Sequence, residues 1–204
     1  MKNYKILKSR YAILVIGIIS VLSTFLSVAI QPGSIRESVN SLCQNPLTIL
    51  LNYLPVLVLI FFFYLLINNA FWGCAVASCI ISVASYVNLL KIEGRDDVFV
   101  PADIFLFREA FAAATEYNLN MHWKWVFIIV IYTILLCLLG IFIRIEKIEL
   151  MKRGIAGIGL CVITFLLMKN VYSSSDLYYS FPVAETYNIP MRFNTLGFNY
   201  SFLL

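Results

Sequence analysis

The chain has 204 residues, 61% of them hydrophobic and 13% charged, with a formal net charge of +4. A water-soluble domain averages about 45–50% apolar and about 25% charged residues, so the composition excludes a soluble globular protein. It predicts an all-α, polytopic membrane protein: the apolar runs are continuous rather than alternating, unlike a barrel, and the modest charge is no footprint for nucleic acid.

A spanning helix needs about 20 apolar residues. Residues 11–30 make the first run, after Lys2, Lys5, Lys8 and Arg10. That start, with Ser27-Val28-Ala29, resembles a secretory leader with a small-x-small cleavage site, but the run is long for a leader and reads as an uncleaved span. The second run, 47–67, carries Asn52 and Pro55. The third, 71–90, contains Gly73, Ala75, Ala77, Ser78, Ser82, Ala84 and Ser85, small residues that let helices approach closely. His122, Trp123, Lys124 and Trp125 lead into the fourth, 125–143, as interfacial anchors. The fifth, 154–168, is short and spans only with snorkelling flanks or a locally thinned bilayer. No ionisable residue lies inside these runs. The five cysteines (Cys43, Cys74, Cys79, Cys137 and Cys161) show no CxxC or Cys/His spacing and read as small hydrophobes, Cys43 alone lying in a polar connection.

Five spans with a basic N-terminus inside place residues 1–10, 68–70 and 144–153 in the cytoplasm. Those segments hold eight Lys/Arg against Glu146 and Glu149, a net of +6; the connections on the other side hold a net of −2. Positive residues in short loops set orientation, so the N-terminus is expected in the cytoplasm and the C-terminus outside. Residues 1–170 form the membrane domain, and 171–204 an extracellular segment.

The connection after the third span is long and charged. Pro101 suits a first helical turn, and from it an amphipathic helix is expected over 101–116, lying at the interface. Asp103 lies on its apolar side; it complements a helix N-terminus, or pairs with Lys91 or Arg95 to fix the loop over the bundle. Lys91 and Arg95, just beyond the third span, can meet anionic phospholipid headgroups or pair with the neighbouring acids. A lone His122 gives no metal site.

The stretch VNLLKIEGRDDVFVPADIFLFREA resembles the pattern N-x-x-K-x-x-x-R…P-x-D-[LI]-x-L-x-x-E-A in the membrane region of lipoteichoic acid synthase-like proteins. It is carried here by Asn88, Lys91, Arg95, Pro101, Asp103, Ile104, Leu106, Glu109 and Ala110, and departs at Asp97-Val98, where many relatives have a proline. Tyr187–Leu204 resembles the segment by which that family leaves its fifth span towards a sulfatase-like domain. The resemblance implies a bacterial cell membrane protein and a glycerophosphate transferase building a cell-envelope polymer. In that family a Thr nucleophile and a divalent metal act in the extracellular domain, whose positions have no match in this chain. No catalytic residue, metal ligand or cofactor is therefore assigned here. The expected role is a membrane anchor positioning a sulfatase-like domain, in cis or in trans. Asn88, Lys91, Arg95, Asp103 and Glu109 are its candidate headgroup or docking contacts. A non-catalytic scaffold subunit is the alternative, and a transporter, resting on Asn52 and Pro55 alone, is the third.

Overall fold

The computed structural model describes residues 5–7, 10–31, 40, 46–105, 121–181, 193 and 195–203. Five of its helices are long and apolar enough to cross a membrane, so the chain is a multi-pass membrane protein of the all-α class. They are α1 (Arg10–Ala29), α2 (Pro46–Ile67), α3 (Ala70–Arg95), α4 (Trp123–Phe142) and α5 (Leu150–Leu167). Two short helices follow, α6 (Ser175–Tyr179) and α7 (Phe198–Leu203). Three-residue strands β1 (Lys5–Leu7) and β2 (Ile143–Ile145) pair in parallel.

Two spans outrun the hydropathy reading. α3 does not stop at residue 90 but continues to Arg95, where Asp96 adopts a left-handed conformation (φ 51°) and returns its N–H to Ile92 O. Lys91 and Arg95 are thus helical residues. α5 begins at Leu150 and passes into a π-helical stretch, Met168–Tyr172, so the apolar segment has 23 residues and needs no thinned bilayer. Lys152, Arg153 and Lys169 mask these ends from a hydropathy reading, although a helix carries such side chains in its interfacial turns.

Helices α1 to α4 share an apolar core that includes Ile16, Val56, Ile60, Phe71, Cys74 and Leu136. The turn between α2 and α3 is only two asparagines long. Asn68 takes the left-handed conformation (φ 56°), and the Asn69 side chain caps α3 by accepting from Phe71 and Trp72 N–H. So tight a hairpin forces the helices together, and at Gly73 a Cβ would lie 2.7 Å from the Tyr64 backbone nitrogen. Of the other small residues of α3, Ala75, Ala77, Ser78, Ser82 and Ser85 are buried, as their spacing predicts, while Ala84 is half-buried. Helix α5 stands apart, and Gly154, Gly157 and Gly159 on it face open space. Cys161 is exposed there, and Cys74 is the buried thiol. Cys43 lies outside the described residues.

Hydroxyls and amides join α1 to α3. Ser23 Oγ meets Ser78 Oγ at 2.7 Å and Tyr132 Oη of α4 at 2.9 Å. Ser85 Oγ donates to Ser27 O, Gln31 Nε2 to Ser85 Oγ, and Asn88 Nδ2 to Gln31 Oε1. Without competing water each such bond contributes about 0.6 kcal/mol on average, rising to about 1.7. The first span and the turn after it thus supply half of this seam.

Partners at the two ends match the alternation of five spans. At one end β1 pairs with β2, and Asn68 exchanges two hydrogen bonds with the Ile148 backbone; this is the basic end. At the other, the cap end, the tail of α3, the start of α2 and α7 meet.

Candidate functional site

The spacing of Asn88, Lys91 and Arg95 (i, i+3, i+7) places all three on one face of α3. Asn88 is fully buried and paired at both ends of its amide: Nδ2 donates to Gln31, and Oδ1 accepts the Phe99 N–H at 2.8 Å. It is a pin inside the bundle. One turn later Lys91, with a side chain 19% exposed, directs Nζ at three oxygens: Val98 O at 2.7 Å, Asp103 Oδ2 at 2.8 Å and Asp97 Oδ2 at 3.0 Å. The same Asp103 oxygen accepts the Val100 N–H at 2.8 Å. Both roles expected of Asp103, pairing with Lys91 and capping a helical turn, are therefore present at once.

Together these bonds fasten the chain from Val98 to Asp103 across the end of α3. Pro101 opens a 3-10 turn, Pro101–Ile104, as its fixed φ favours. The remainder of the amphipathic helix expected over 101–116 lies outside the described residues, and so does Glu109. Arg95 is exposed at the tip of α3. His122 Nε2 lies 2.5 Å from Glu93 Oε2 and ties the start of α4 to the same tip. Trp123 is exposed as an anchor should be, whereas Trp125 is buried against Ala29, Ile30 and Tyr86 and serves packing instead.

Partial burial opposes ionisation of Asp97, but hydrogen bonds from Lys91 and the Val98 N–H, with the charge of Arg95, outweigh it and hold the carboxyl below its usual value of 3.8. A depressed folded value means that the Asp97 contribution is complete above the unfolded value and is lost as the pH falls through the folded one. Acidification in nanodiscs should thus loosen the cap, seen as faster deuterium uptake at Phe99 and Val100 relative to the spans. Asp97→Asn should flatten that dependence; an identical acid response in the variant would show that Asp97 is not its source.

The second half of the site was not anticipated. Pro55 has no N–H to offer the Leu51 carbonyl one turn back, and the Tyr172 hydroxyl donates to that carbonyl at 2.8 Å. Beside it, Asn52 is fully buried. Its Nδ2 donates to Thr48 O and, at 2.6 Å, to Leu196 O, while Oδ1 accepts the Tyr200 N–H. Asn199 donates in turn to Ser27 Oγ at 2.8 Å and to Asn52 O at 3.2 Å. These bonds set α7 into a notch of the bundle, and Gly197 makes it possible. Its φ is +84°, and a Cβ there would lie 2.6 Å from the Asn52 amide. Asn52 and Pro55, the residues behind the transporter reading, thus form a docking notch for the C-terminal segment. Their one advance signal was the proline, which frees a carbonyl in mid-span.

The two halves interlock. Phe99 and Phe202 stack with centroids 5.6 Å apart, and Val98 packs with Phe193 and Phe198. Among the described residues no group of three His, Cys, Asp or Glu side chains is placed to hold a metal. No family model, curated protein or solved structure matches the chain. The likeness to lipoteichoic acid synthase-like proteins rests on the sequence resemblance alone.

Proposed function

We propose that the chain is the membrane module of a lipoteichoic acid synthase-like glycerophosphate transferase in a bacterial cell membrane. Its N-terminus is cytoplasmic, and its cap end faces outward to hold a sulfatase-like domain at the bilayer. The observation that carries this reading is the closure of the motif on itself. Asn88, Lys91 and Asp103, which carry the resemblance, lock one loop to one helix tip, and α7 packs against that loop. A rigid joint at this point suits a module that must fix a catalytic unit relative to the membrane. The +6 charge of the opposite end supports the orientation.

Arg95, exposed at the tip of α3, is a candidate contact for a phosphate headgroup or a docked domain. Arg95→Ala should lower glycerophosphate polymer synthesis in the host about fivefold at unchanged membrane level, the effect of losing ~1 kcal/mol at an exposed charge. Purification from host membranes should recover a sulfatase-like domain, in the same polypeptide or as a bound subunit. A separate subunit favours the scaffold version, which the folding of α7 back into the bundle also suits. Unchanged polymer together with no such domain would sink both versions.

A further inference from the structure

Between the cap loop, the turn after α5 and α7 lies a partly open cavity of about 480 Å³, within the roughly 300–1,000 Å³ range of small-ligand sites. Five aromatic side chains line it: Tyr172, Tyr178, Tyr179, Phe193 and Phe202. Among the described residues no charged side chain does, and Ser173, Ser174, Ser175 and Ser201 supply the polar part of the wall. Lys91, behind the wall, is bonded to the carbonyl of the lining residue Val98 and paired with Asp97 and Asp103. Ser201, also in the lining, has a buried Oγ with no hydrogen-bond partner among the described residues, an oxygen whose lone pairs a ligand can use.

Ring faces carry negative charge density, and several around one space attract an organic cation whose methyl groups also suit apolar walls. The described lining offers an inorganic cation no carboxylate and an anion no cation. We propose that this cavity is a binding site for an alkylammonium group of the quaternary type, presented as a free cation or as the headgroup of a zwitterionic lipid. The inference rests on the cavity and is independent of the family reading above.

The test uses the full chain in phosphatidylglycerol nanodiscs, titrated with tetramethylammonium chloride and followed by tyrosine fluorescence. Sodium chloride at equal ionic strength and glycerol serve as controls. In a second arm, phosphatidylcholine of the same acyl chains replaces part of the lipid, and native mass spectrometry reads which lipid is retained. The expected result is saturable binding of tetramethylammonium, preferential retention of phosphatidylcholine, or both. The arm that responds identifies the source. Tyr179 is 71% exposed, so Tyr179→Leu should fold normally while weakening the response about two- to fivefold, the range for one ring–cation contact at an exposed site. Response in neither arm, an equal response to glycerol or to sodium, or full binding by Tyr179→Leu would overturn the proposal.

Discussion

Replacing Asn52 by leucine should release α7 from the bundle while leaving the five spans in place. The substitution removes the donor to Leu196 O and the acceptor for Tyr200 N–H, two backbone groups with no other route to water while docked. Each orphaned group costs about 1–3 kcal/mol. The segment has an escape, however: by leaving the notch it hydrates its own backbone, so the cost cannot exceed the docking free energy itself. A loss of about 2–4 kcal/mol is expected, enough to leave α7 mostly undocked. Hydrogen–deuterium exchange at residues 195–203 reads this directly, with the amides of α3 as the internal reference. Gly197→Ala should reach the same state from the other side of the contact, since it strains a φ of +84° and drives a methyl group into the Asn52 amide. Exchange as slow as in the parent for both variants would mean that the notch does not hold the segment.

A larger change is expected at Gly73. A side chain there meets the Tyr64 backbone, with N at 2.7 Å and Cα at 2.8 Å, and a backbone cannot swing aside as a flexible side chain does. Gly73→Val must part α2 from α3, although their two-residue turn leaves almost no slack. Overpacking costs about 1–3 kcal/mol where side chains can adjust; here the figure should reach about 3–5 kcal/mol. Gly154→Ala is the matched control, because a Cβ on that glycine meets nothing within 4 Å. It should be neutral or gain up to about 1 kcal/mol from helix propensity. Equilibrium unfolding in mixed micelles compares the two, and equal stability of the variants would refute the close-contact account.

Which parts of this architecture could be read in advance depends on the range of the interaction. The spans, the small-residue face of α3 and the Lys91–Asp103 contact all arise within a few turns of chain, where period and spacing carry the signal. The ends of α3 and α5 were misjudged because Lys91, Arg95, Lys152 and Lys169 lower hydropathy without ending a helix. The docking of α7 was out of reach for another reason. Asn52 and Asn199 stand 147 positions apart, and no local pattern links a buried amide to a partner so distant. Pro55 announced that the Leu51 carbonyl needed a donor, yet nothing near it in sequence named Tyr172. Asn88 shows the same limit within the motif. Its spacing gave the correct face of α3, but its burial depends on Gln31 at the end of α1.

The notch on α2 also sets an order of events during synthesis. Helix α2 enters the membrane about 120 residues before Tyr172 and nearly 150 before Tyr200 are made. Until then the Leu51 carbonyl and the Asn52 amide stand without the partners that complete them. A nascent chain in that condition presents a polar blemish in an apolar span. Arrival of Tyr172 and then of Leu196 to Tyr200 supplies those partners, so the notch closes only after all five spans have been made.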